Sequence, residues 1–459
     1  MNGVSAGFAR PPGPKSKNPL FGILSEFRKD PPAFLLRSAR QYGDLVYLPL
    51  ARQNAYLVNR PEWIRDILVT HQSNFLKSRV LQRAKRLLGE GLLTSEGEAH
   101  TRQRRLVQPA FHRDRMAHYG SEMVACAARA REQWQPGAQL DLAREMLHLT
   151  LAIVGRTLFS TDVSSDAEGI GQAMATIFNL FDTLMMPFAD WLQKLPLPAV
   201  RRFEKSRAVL DKVIYDLIAE RRASGRDEGD LLSMLLLARD EDRHGMTDTQ
   251  VRDEALTLLI AGHETTANAL IWSWYLLSQN PEAEAKLHAE LDEVLAGRLP
   301  QFDDVPKLIY TTGVFSEALR LYPPAWAIGR KVKQEYSIGE YRIPADSILL
   351  LSPWVSHRDA RWFADPEKFD PDRWRPEIVE VMPKFAYYPF GGGARVCIGE
   401  RFAWTEGVLV LATLAQRWKM RLVPGQQVAT RAVIILRPRY GMNMIAEPVE
   451  LPAPAEEGS

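Results

Sequence analysis

Cys397 is one of two cysteines in 459 residues, the other being Cys126. It stands in PFGGGARVCIGERFA, 389–403. Gly391, Gly392 and Gly393 let the backbone take positive φ and approach a flat ligand closely. The apolar helical pattern FAWTEGVLVLATLAQRW follows Gly399. A cysteine just ahead of a helix start lies near free N–H groups and the positive end of the helix dipole, and both favour the thiolate. Zinc and iron–sulfur sites draw on several Cys or His ligands at close spacing, whereas this loop offers one Cys and no His. A metal centre that needs a single protein thiolate is haem iron. A lone Cys in a Gly-rich turn, taken without its surroundings, is more often a core residue.

A second chemistry-bearing group is AGHETTAN, 261–268, within VRDEALTLLIAGHETTANALIWSWYLLSQ. Thr247 and Gln250 fit a capping box, so a helix is expected to begin there. It is expected to stop before Pro281, after about nine turns. The pattern is apolar on most faces, which predicts burial. Polar groups in such a helix cost energy unless they are satisfied or used. Glu264 and Thr265 supply a carboxylate and a hydroxyl that could hold water in a dry pocket, and Gly262 would loosen the helix locally. The bland alternative is that Thr265 and Thr266 merely bond back to helix carbonyls.

FGGGARVCIG resembles the haem-ligand signature of the cytochrome P-450 superfamily, with Phe390, Gly391, Gly393, Arg395, Cys397 and Gly399 at its fixed places. EALR (317–320), FDPDRW (369–374) and AGHETT (261–266) resemble three further motifs of that family, in its order. The resemblance spans roughly residues 10–445. It implies a mainly α fold with a minor β part, a single large domain over 1–459 around a buried haem b, with flexible arms at about 1–10 and 446–459. It implies Cys397 as the axial metal ligand, with Phe390 and Gly391 against the cofactor. Arg395, Arg330 in AIGRKV, and His100 and Arg104 in GEAHTRQRRLVQPAFH would bind the propionates. His100 stands where Trp is frequent; the imidazole also donates a hydrogen bond. Glu317, Arg320 and Arg373 would form a buried network that serves folding, and Glu264 and Thr265 would deliver protons. The activity implied is a monooxygenase that uses O2 and two electrons to hydroxylate a fatty acid, terpenoid or steroid. A peroxide-driven or isomerising enzyme of the same fold often lacks the acid–Thr pair that this chain keeps. A non-catalytic haem sensor is the rival from another class.

The surrounding elements read as an α-rich chain. Short β-like runs occur at 45–50, 54–58, 347–352 and 432–436 (AVIIL). By family analogy the pocket draws on 78–93, 174–188, 324–329 and 433–436. All are largely apolar, so an apolar substrate is expected. Arg79, Arg83 and Arg86 are either an anchor for a carboxylate or solvated charges. Arg102, Arg105, Arg113 and Arg115 form a basic face suited to an acidic ferredoxin or flavodoxin, supplied by its reductase. The chain is 46% apolar and 25% charged with a formal charge of +2, enough for a large core and too little charge to argue for nucleic acid. Few cysteines, and no run of the ~18 apolar residues that a spanning helix needs, point to the cytoplasm and to no transmembrane anchor.

Overall fold

The computed structural model describes residues 10–15, 23–50, 53–162, 167–184, 195, 197–239 and 245–449. Helices dominate, and the β structure is confined to small sheets. The core is built around one helix, Asp248–Gln279, of 32 residues. Thr247 and Gln250 close the expected capping box: the Thr247 N–H donates to Gln250 Oε1 at 2.9 Å, and the Gln250 N–H donates to Thr247 Oγ1 at 3.2 Å. This central helix packs most extensively on Leu142–Leu158. Gly262 explains part of that closeness, since a Cβ there would lie 3.2 Å from Val154 Cγ2. Its role is therefore close helix approach as well as space beside the cavity. Near its start the same helix holds the segment after Arg79–Leu88. Asp253 Oδ2 accepts from the Glu90 N–H at 2.8 Å, and Glu254 Oε2 from the Leu92 N–H at 2.9 Å.

The largest sheet has five strands in the order β1 (Leu45–Leu50), β2 (Gln53–Val58), β8 (Ile348–Leu351), β5 (Ile328–Val332), β3 (Phe75–Lys77). Only β2–β8 is parallel. The β3–β5 register sets Lys77 directly opposite Arg330. β6 (Tyr336–Ile338) and β7 (Tyr341–Ile343) form a hairpin, and β4 (Gln139–Asp141), β12 (Asn443–Pro448) and β9 (Trp418–Leu422) form a three-stranded sheet. Ala446 is fully buried in β12. The expected C-terminal arm at 446–459 is thus corrected: the residues through Pro448 are sheet, because their backbone pairs with Trp418–Leu422.

The run AVIIL is also not a strand. Its ends belong to β10 (Thr430–Ala432) and β11 (Leu436–Pro438), and the chain reverses between them. Val433, Ile434 and Ile435 border a cavity, so an apolar turn is favoured here for the same reason as an apolar strand. Among the described residues no helix is long and apolar enough to cross a membrane.

The segment leading to the cysteine loop is fixed by a buried charge network. Glu317 and Arg320, both on Ile309–Leu321, are fully buried and joined by two bonds of 2.7 Å. Arg373 Nε donates to Glu317 Oε1 at 3.1 Å, and Trp374 Nε1 donates to Oε2 at 3.0 Å. Arg320 also donates to the carbonyls of His357, Pro366 and Lys368. With every donor and acceptor paired, the burial cost is offset, and loss of one member strands a charge.

Candidate active site

A cavity of about 1440 Å³ lies between the central helix and the cysteine loop. Cys397, Phe390, Gly391, Arg395, His100, Arg104, Arg330, Glu264 and Thr265 all border it. The sequence-predicted residues therefore converge on one space, although they come from four separate stretches of chain.

The cysteine loop is held by its backbone. The Cys397 N–H donates to Phe390 O at 3.0 Å, and the Gly391 N–H to Tyr388 O at 3.0 Å. Gly391 and Gly393 have φ of 75° and 68°. A Cβ on Gly393 would sit 1.9 Å from Leu68 O, so only glycine lets the loop lie this close to Asp66–Thr70. Gly399 precedes the helix Glu400–Ala415. The thiol is exposed, but to the interior cavity. Burial within the protein pushes its pKa up to about 11, against the lowering effects of the Gly399 N–H and Arg104. The helix start acts in the expected direction, through the Gly399 N–H. Desolvation is the larger effect, and a metal cation is what stabilises the deprotonated sulfur.

Opposite the glycine loop is a set of cations without enough anions. Arg330 is 8% exposed and Lys77 6%. Arg330 is pushed down to about 10 by burial and by Arg395. Lys77 is pushed down to about 7 by burial and then by Arg395. His100 is held near 3 by burial, Arg395, Lys77 and Arg104, so its ring is neutral at physiological pH. Arg104 Nη1 donates to Val396 O at 2.8 Å. Like charges directly opposite on neighbouring strands destabilise a sheet, and Lys77 and Arg330 are such a pair. Together these features describe a site built to receive anions. Two carboxylates on the edge of a flat macrocycle would match this cation set, and Cys397 would be the protein ligand to its metal. Haem held by these residues would supply the iron for dioxygen chemistry. The sequence reading missed Lys77, because cross-strand register alone brings it to the site.

Across the cavity the polar centre of the long helix is largely self-satisfied. Thr265 Oγ1 donates to Ala261 O at 2.7 Å, Thr266 Oγ1 to Gly262 O at 3.2 Å, and Asn268 Nδ2 to Glu264 O at 2.8 Å. His263 Nδ1 lies 3.0 Å from Leu259 O. The bland reading of the two threonines is thus met in part. It leaves Thr265 Oγ1 with lone pairs, and Thr265 faces the cavity; it can hold a water by accepting from it. Glu264 is different. Its Oε2 has no partner among the described residues, and its Oε1 lies 3.8 Å from Arg437 Nη1. Burial pushes its carboxyl up to about 8, with Arg437 opposing.

The apolar wall carries Leu92, Phe111, Phe178, Leu258, Ala325 and Val433. Each of the four expected pocket segments contributes, although 185–188 lie outside the described residues. Of the three candidate anchors, Arg79 borders the cavity, whereas Arg86 is paired with Glu204 at 2.6 Å.

A family model described as Cytochrome P450 matches residues 11–442. Cyclooctatin synthase of Streptomyces melanosporofaciens is 43% identical over 94% of this chain and 93% of its own. Cyclooctat-9-en-7-ol 5-monooxygenase of the same organism is 40% identical over 89% of each chain. Pentalenene oxygenase of Streptomyces avermitilis is 38% identical over 86% of this chain and 88% of its own. The thiolate loop, the anion cradle and these likenesses agree: the chain belongs to the cytochrome P450 family and is a haem monooxygenase acting on an apolar substrate.

Proposed function

We propose that this enzyme hydroxylates a terpenoid-type hydrocarbon skeleton. One oxygen atom of O2 enters a C–H bond to give an alcohol; the other leaves as water with two electrons and two protons. The observation that carries this is the cavity itself. Its roughly 1440 Å³ exceeds the ~300–1,000 Å³ of an ordinary single-ligand pocket, leaving room for a compact organic molecule beside the macrocycle. The walls around that space are mainly apolar, and relatives named for cyclooctat-9-en-7-ol and pentalenene share most of the chain. The cofactor is non-covalent haem b, held by Cys397, His100, Arg104, Arg330 and Arg395 with Phe390 and Gly391 beneath it. Cys126 is buried away from the cavity, bonded to Arg129 at 3.1 Å, so no second thiol is placed to attach a macrocycle. In a titration of the oxidised enzyme, polycyclic terpene hydrocarbons or mono-alcohols are expected to displace the iron-bound water and shift the Soret band to the blue. Saturated fatty acids and steroids are expected to bind at least about tenfold more weakly. Equal or stronger shifts with a fatty acid would overturn the terpenoid assignment.

Electrons come from a separate acidic ferredoxin or flavodoxin. Arg105 and Arg113 are exposed, and Arg102 and Arg115 half-buried. Arg105 follows Arg104, which touches the cysteine loop through Val396, so the basic face backs directly onto the thiolate. Reversing Arg105 and Arg113 to Glu is expected to slow haem reduction by an acidic ferredoxin about tenfold at low salt and to flatten its ionic-strength dependence. Substrate affinity stays as it was. An unaltered reduction rate with each acidic donor tried would remove this face from consideration.

A further inference from the structure

The cation cradle carries an anion of its own. Glu96 lies just before the helix Gly97–Val107. Its Oε2 accepts from Arg395 Nη2 at 2.6 Å, and its Oε1 from the Lys77 backbone N–H at 2.6 Å. Arg395 Nη1 donates beside it to Ser95 O at 2.9 Å. The pair is mostly shielded, with side chains 18% and 25% exposed. One carboxylate therefore clamps the cysteine loop, the end of β3 and the start of the helix that carries His100 and Arg104.

That position creates a competition. Arg395 borders the cavity and has five N–H donors in a rigid fork. One edge of the fork is already committed to Glu96 and Ser95. A haem propionate arriving from the cavity meets a guanidinium whose charge is partly balanced. A negative charge held beside a redox centre opposes the gain of an electron, and a shielded charge is felt more strongly than one in water. Lys77 cannot replace the lost share freely, since its ammonium donates to the carbonyls of Leu92, at 3.1 Å, and Leu93.

We propose that Glu96 is a positioning residue that lowers the haem reduction potential, by taking part of the Arg395 charge that a propionate would otherwise receive whole. This rests on haem occupying the cradle and is independent of the substrate assigned above.

The test is optical potentiometry on the purified haem-loaded enzyme. Glu96→Gln removes the charge and keeps an acceptor for the Lys77 N–H. At a fixed applied potential and pH, its ratio of reduced to oxidised haem is expected to rise about fivefold, the order of effect of one partly solvated charge. Glu96→Ser, a second route to the same loss of charge, is expected to move the same way. Glu96→Asp, which keeps the charge, is expected to stay near the parent. Transfer of haem to excess apomyoglobin is expected to be no faster from Glu96→Gln than from the parent, because Arg395 then turns wholly to the propionate. A potential that is unchanged or lower in both Gln and Ser variants overturns the proposal. So does an Asp variant that moves as far as Gln, or loss of haem from both charge-removing variants, since either makes the clamp purely structural. A parent enzyme that binds no haem would instead contradict the cradle itself.

Discussion

Cys397→Ser is expected to abolish the red-shifted Soret band that the reduced protein gives with carbon monoxide, and Cys126→Ser to leave it in place. The two cysteines differ in everything that matters to a metal. Cys397 opens onto the cavity from a glycine loop fixed by the bond from its own N–H to Phe390 O. Cys126 is 4% exposed within the helix Arg113–Gln133, with its sulfur against Arg129. A serine oxygen at 397 supplies neither the soft ligand nor its electron density, so turnover falls to background along with the band. Difference spectra of the three proteins, read beside total haem content, decide the matter. If the change at 126 were the damaging one, the ligand assignment would be wrong.

Thr265→Ala is expected to separate electron consumption from product formation. The variant still binds haem, substrate and O2 and still oxidises reduced cofactor, but much of that flow emerges as hydrogen peroxide. The reason lies in what the hydroxyl does in the helix. It donates to Ala261 O and so presents an acceptor to the cavity, where it can fix the water that delivers a proton to the correct atom. Glu264→Gln acts earlier. A buried acid with one unpartnered oxygen can take a proton and pass it on; an amide cannot, so the whole cycle is expected to slow about a hundredfold. The pH dependence follows from the direction of the shift. A carboxyl raised to about 8 by burial is neutral, and a proton donor, below that value, and loses the proton as pH rises through it. Parent turnover is therefore expected to decline on the alkaline side of about pH 8, and the Gln variant to lack that limb. Full coupling of product to cofactor in Thr265→Ala would move the role to Thr266 or to ordered water.

Much of this was legible in the residues because local patterns carried it. The capping box at Thr247 and Gln250 gave the start of the central helix, and Pro281 its end, as found at Gln279. The glycine loop, with Phe390 and Cys397 at its ends, announced a closely packed backbone, and the close contacts found are with Leu68 and Phe385. The failures share one cause: they depended on surroundings supplied by distant chain. AVIIL reads as a strand by composition, yet a turn that lines a cavity is apolar for the same reason. Glu447 and Pro448 look like the start of a polar tail until they pair with Lys419 and Trp418. The local field at Cys397 acts in the expected direction through the Gly399 N–H, but burial, supplied by the whole fold, outweighs it. Lys77 enters the site only because β3 pairs with β5, and Arg437 approaches Glu264 from 173 residues further along the chain.

The β2–β8 pairing has a consequence for how the enzyme is made. Ala55 to Val58 lie beside Ile348 to Leu351, so the main sheet cannot close until most of the polypeptide has left the ribosome. At that moment Lys77, His100 and Arg104 have long been synthesised, while Arg395 and Cys397 are only then emerging. A nascent chain thus holds the cationic rim of its cofactor site without the ligand. It also leaves the apolar segments that will line the cavity exposed to water until their late-made partners arrive, which is the condition under which unfinished chains aggregate. Haem uptake through Cys397 would be a late event, waiting on the loop at 389–403. Expression that outruns haem supply should yield insoluble protein rather than a soluble apoenzyme.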